Sequence, residues 1–142
     1  MNVRSDCIFC KIVAGEIPCT KVFGDDRVLS FMDISPLNRG HLLVIPKEHY
    51  ETILDITPEL YGHIARLTCK IARAVDASLA PHGMNVMQLN GEAGNQVVPH
   101  VHMHLVPRWL DDRLTICAWQ PVLGDRSDIA LAADEIKARI SG

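Results

Sequence analysis

No run of about 18 apolar residues occurs in this chain, which argues against a membrane-spanning helix. The opening segment Met1–Lys11 lacks the apolar core of a secretory signal, and a cytoplasmic protein is expected. An excess of positive charge is missing too. Lys and Arg number 14 against 17 Asp and Glu, a formal net charge of −3. That excludes the basic face of a duplex-DNA binder, although a small anionic ligand needs only a few local donors. Internal repeats, low-complexity tracts and a dividing linker are also absent. The cysteines are Cys7, Cys10, Cys19, Cys69 and Cys117, an odd set that does not read as a disulfide framework. Cys19, Cys69 and Cys117 are read as buried small apolar residues.

What is present fits one compact domain over residues 1–142, with 48% apolar and 22% charged residues. Residues 8–14 read as a short helix ending at Gly15. Thr20–Phe23 and Val28–Met32 are β-type runs around the turn Gly24-Asp25-Asp26. After the turn-rich Ser35–Gly40, His41–Ile45 reads as a buried strand stopped by Pro46. Thr57-Pro58-Glu59 is a helix start, with a hydroxyl cap, proline at the first position and an early acid. Leu60, Ile64, Leu67, Ile71 and Ala74 then give one apolar stripe up to about Leu79. Met84–Leu89 and Val97–Val106 read as strands, the second interrupted by Pro99. A final amphipathic helix is expected from about Asp128 to Ile140. The expected class is α+β: a mostly antiparallel sheet, one long central helix and a C-terminal helix.

His100, His102 and His104 stand two residues apart. On a strand that spacing turns three imidazoles to one face, with Val101, Met103 and Leu105 turned to the other. An amphipathic strand with a histidine face by accident is hard to reach when only 7 of 142 residues are His. Two functional readings remain open: a metal held by three imidazoles, or imidazoles gathered round a phosphate. The polar loop Asn90–Gln96, with Gly91 and Gly94, can bring backbone N–H groups to an anion and favours phosphate. Cys7-x-x-Cys10 on its own is a metal knuckle, a redox pair or incidental; no βαβ setting supports the redox reading.

The run from Gln96 to Arg108, built on His100-Val101-His102-Met103-His104, resembles the signature of the histidine-triad (HIT) family. Cys7–Ile12 with Gly15–Pro18 resembles the family's first segment. Phe31–Pro36 with Gly40–Lys47 resembles its central one. The likeness spans residues 7–108 in order and is nearest to the Hint-like branch; residues 109–142 form a less similar extension. It implies a HIT-like fold and hydrolysis of a purine nucleotide, such as a nucleoside phosphoramidate, at the α-phosphate. His102 would be the nucleophile, forming a transient nucleotidyl-imidazole. A backbone carbonyl such as that of His100 could hold its other nitrogen as N–H. His104, His41 and Gln96 would face the phosphate. Asp33 and Asn90 would lie near the ribose, and Phe9, Ile12, Phe31 and Ile34 would form the base pocket. Asp33 can equally cap the Ser35-Pro36 turn, and the apolar four would suit any small core.

By the same resemblance Cys7, Cys10, His49 and His100 would hold a structural zinc, and no catalytic metal is required. A homodimer through the long helix and a sheet edge is implied, with no nucleic-acid or membrane partner. Trp109, Trp119 and the last helix are placed to cover a partner's site. One departure stands out. Many members carry Ser or Thr after the glutamine, where this chain has Val97, which bears on the leaving group. Dinucleoside polyphosphate hydrolysis, as in the Fhit branch, and a nucleotide-binding scaffold with weak activity are the alternative functions.

Overall fold

The computed structural model describes residues 1–116 and 122–140; the readings for Cys117 and Trp119 fall outside them. Elements run in the order α1 (Ile8–Val13), β1 (Lys21–Gly24), β2 (Val28–Met32), β3 (Leu42–Pro46), α2 (Pro58–Leu79), β4 (Gly83–Gln88), β5 (Met103–Arg108) and α3 (Arg126–Arg139). One antiparallel sheet has the strand order β1-β2-β3-β5-β4, which inserts β5 between β3 and β4. Among the described residues no helix is long and apolar enough to cross a membrane.

Each face of the sheet has its own cluster. On one, Leu60, Ile64, Leu67, Ile71 and Val75 of α2 pack with Val28, Leu42, Val44, Met103 and Leu105. On the other, Phe9, Cys7 and Cys10 pack with Leu29, Phe31, Leu43 and Ile45. α2 starts where the sequence indicates: the Leu60 N–H donates to Thr57 Oγ1 at 3.2 Å, and Pro58 occupies the first turn. Its stripe ends differently, with Val75 buried and Ala74 exposed, because a 3.6-residue period carries the face from Ile71 to the fourth residue on. Replacing Ile64, fully buried at the centre of this cluster, by alanine is expected to cost about 2–5 kcal/mol. Urea unfolding measures it, and a loss under 1 kcal/mol would contradict the packing.

Three further expectations need correction. The strand read at Val97–Val106 pairs only from Met103 onward. Pro99 has no N–H, the His100 N–H turns back to Val98 O, and the Val101 N–H goes to Tyr50 O at 2.7 Å. Donors spent in this way cannot join a ladder. Face alternation survives nonetheless, since Val101, Met103 and Leu105 all sink into the α2 side. α3 forms, capped by Asp125, but it buries nothing; Ile129, Leu131 and Ile136 stay exposed, so the expected amphipathic packing is not seen. Cys69 is exposed and Cys19 half-buried, rather than core residues.

Candidate active site and metal centre

The three histidines diverge in what they touch. His102 is buried, and its Nδ1–H donates to the carbonyl of His100 at 2.6 Å. A neutral imidazole has one N–H, so the lone pair of His102 lies on Nε2. Burial holds its pKa below the ordinary histidine value, which keeps that lone pair free.

His104 follows on β5, opposite Leu43 of β3, and meets His41 at the foot of β3. The Leu37 N–H donates to His41 Nδ1 at 3.0 Å, so neutral His41 carries its hydrogen on Nε2. That N–H faces His104 Nδ1 at 2.9 Å, which in turn places the His104 hydrogen on Nε2. The chain of tautomers gives His104 a donor to offer an anion. It also disfavours a cation at Asp33, His41 and His104, although these three cluster closely, because His41 Nε2 has no free lone pair there.

Burial first, and then the neighbouring His102 and His41 imidazoles, hold His104 to a pKa of about 4. The unfolded chain takes up this proton near pH 6.5, as an ordinary histidine does. Stability from His104 is therefore whole above pH 6.5 and is lost as pH falls from 6.5 toward 4. A His104→Asn protein is expected to lose less stability over that interval than wild type. Urea midpoints measured across it would show equal slopes if the shift were absent.

His100 turns the other way. Its Nε2–H donates to the Pro46 carbonyl at 2.8 Å, which leaves the Nδ1 lone pair facing Cys7 Sγ at 3.4 Å and Cys10 Sγ at 3.8 Å. His49 Nδ1 lies 3.5 Å from Cys10 Sγ, and its buried Nε2 has no partner among the described residues. Asn2 clamps the His49 backbone through both its carbonyl, which accepts the His49 N–H, and its side-chain amide. All four donors are buried and lie within 4.8 Å of one another. Two soft sulfurs and two imidazole nitrogens in a dry cluster fit a tetrahedral zinc, and they leave no position for substrate. The triad does not converge on one point: His100 belongs to this cluster and His104 to the other.

Between these groups lies a cleft of about 360 Å³. Phe9, Ile12, Phe31, Asp33, Ile34, His102 and His104 line it, together with Ile8, Ile17, Cys19, Val97 and Val98. Phe9 and Phe31 meet edge to face at 5.6 Å between centroids. Asp33 takes the turn-capping place that the sequence allows. Its Oδ1 accepts the Ser35 N–H and caps the turn, while Oδ2 stays 3.6 Å from His41 Nε2.

Gln96 and Asn90 are not in the wall of this cleft. Gln96 accepts the Gly91 N–H and donates to Glu51 O, and Asn90 Oδ1 accepts the Ile53 N–H while its amide pairs with Gln88. Both brace the 90–96 loop. Val97 lies on the wall with an exposed, purely apolar side chain. The sequence assigns no site role to Ile8, Cys19 or Pro46. Ile8 stands four residues before Ile12 on α1, a spacing that signals a shared face. Pro46 acts through a carbonyl, which no residue type announces.

A family model described as HIT domain matches residues 14–109. "Protein hit" of Bacillus subtilis is 47% identical over 109 residues, covering 77% of this chain and 75% of that protein. "Adenosine 5'-monophosphoramidase hnt1" of Schizosaccharomyces pombe is 37% identical over 134 residues, 94% of this chain and 98% of its own. Among solved structures, a Zn-bound histidine triad family protein from Mycobacterium smegmatis superposes with a TM-score of 0.75 at 36% identity. It covers 94% of this chain and 98% of its own.

Proposed function

The chain belongs to the HIT family, and we propose from that premise that it is a nucleotidyl hydrolase acting at the α-phosphate of purine nucleoside phosphoramidates or related nucleotides. The observation that carries this reading is His102, buried at the cleft with Nδ1–H fixed and Nε2 left as a lone pair. The yeast relative's name as a monophosphoramidase supports the reaction class.

In the first step His102 Nε2 attacks the α-phosphorus, and the bond to the leaving group breaks with its electron pair going to the amine nitrogen, which takes up a proton from solvent. Water then attacks the phosphorus of the adduct, the N–P bond breaks, its pair returns to Nε2, and a proton leaves to solvent. His104 donates from Nε2–H to a phosphoryl oxygen, and His41 holds that tautomer. Asp33 Oδ2 serves the ribose hydroxyls. The base lies among Phe9, Ile12, Phe31 and Ile34. Gln96 and Asn90 serve the phosphate through the backbone of the loop they brace.

Zinc at Cys7, Cys10, His49 and His100 would supply structural cross-linking only; no metal takes part in the chemistry. The buried donor set and the Zn-bound relative support this assignment. A homodimer is part of the same reading, supported by β4, the outermost strand of the sheet among the described residues, where Val86 is half-exposed. The test is a panel of adenosine and guanosine phosphoramidates and dinucleoside polyphosphates assayed side by side. Phosphoramidates are expected to turn over at least about tenfold faster in kcat/KM, a difference worth about 1.4 kcal/mol. Preference for the dinucleotides would put the Fhit-like reading in its place.

A further inference from the structure

The helix α1 is shared by the metal centre and the cleft. It opens with Cys7 as its N-cap and carries Cys10 in its first turn, so the two thiols fix where the helix begins. The same short helix sends Ile8, Phe9 and Ile12 into the cleft wall. Phe9 stands edge-on to His100 at 5.7 Å and to His102 at 5.1 Å between ring centroids. His100 closes the circuit: its ring faces the thiols while its carbonyl holds His102.

A helix of six residues has little stability alone, and tertiary ties must hold it. We infer that the Cys7–Cys10–His49–His100 centre anchors the wall of the nucleotide cleft, so that zinc and nucleotide bind with positive coupling. This rests on the cleft being the nucleotide site. A wall already ordered by the metal spares the nucleotide the entropy of fixing Phe9 and Ile12. Reciprocity then requires the nucleotide to tighten zinc by the same factor. Phe9 joins the two sites, since it lines the cleft and stands edge-on to both histidines without being a metal ligand.

Zinc release from the loaded protein to a competing chelating dye at equilibrium, with and without saturating AMP, reads the coupling directly. AMP is expected to lower the zinc dissociation constant at least about 5-fold, the lower end of ordinary coupling between sites. Phe9→Leu keeps all four ligands; with AMP raised until it saturates the variant, it is expected to retain its zinc and to lose most of the AMP protection. Binding of AMP to the wild type with unaltered zinc release would overturn the coupling and leave the nucleotide site standing. A loaded protein that binds no AMP at all would remove both readings. Full protection in Phe9→Leu would contradict the route through Phe9. Should that variant fail to fold, the wild-type zinc dissociation constants with and without AMP decide the coupling alone.

Discussion

Replacement of His102 by alanine is expected to lower kcat/KM by about 10⁴-fold or more while AMP binds within a few-fold of wild type. The two effects separate because the groups are separate. In the proposed mechanism affinity comes from the apolar wall of Phe9, Ile12 and Phe31 and from Asp33, none of which alanine at 102 removes. Turnover in that mechanism depends on one lone pair, on Nε2, set by the hydrogen bond from Nδ1–H to His100 O. His104→Ala removes a donor to the phosphoryl oxygens rather than the nucleophile. It should therefore cost less, about 10²–10³-fold. Equal losses at both positions, or retained turnover in His102→Ala, would contradict the assigned roles. Steady-state kinetics with AMP titration on the same samples provides both numbers.

Cys10→Ser, or stripping with a strong chelator, is expected to lower the thermal midpoint by more than about 10 °C. A metal held about 1,000-fold above its dissociation constant stabilises the folded state by about 4 kcal/mol. Each kcal/mol is worth about 2–8 °C in domains near this size. Without the cation, the buried lone pair of His100 faces the Cys10 thiol, whose pKa burial pushes up and which is therefore poor at carrying charge. The loss should propagate, because Cys10 ties α1 to the His100 and His49 segments. Metal analysis and thermal melts check this together. A protein isolated without zinc, with a midpoint unmoved by chelation, would remove the metal centre.

The elements with a strong local signal were legible in the sequence. Thr57-Pro58-Glu59 marks the start of α2, and Gly24-Asp25-Asp26 marks the β1–β2 turn, where Asp25 accepts the Arg27 and Val28 N–H groups. The alternation of His100, Val101, His102, Met103 and His104 predicted which side chains enter the core. It did not show that the ladder starts only at Met103, because the partners of the preceding N–H groups, Val98 O and Tyr50 O, are backbone atoms. Nor could spacing show that the histidines separate into two clusters. That division is made by Pro46 O on one side and the Leu37 N–H on the other, both backbone groups brought in by the fold. For α3 the sequence offers apolar residues at Ile129, Ile136 and Ile140 but nothing to say what they cover.

The central claim is that His102 carries the nucleotidyl group during turnover. Rapid acid-free quenching of the enzyme with a phosphoramidate substrate, followed by peptide mass mapping, reads it most directly. A nucleotidyl adduct on the His102 peptide that forms and decays at rates matching kcat is the expected result. Turnover with the adduct on another residue, or with none formed fast enough to lie on the path, would contradict the mechanism.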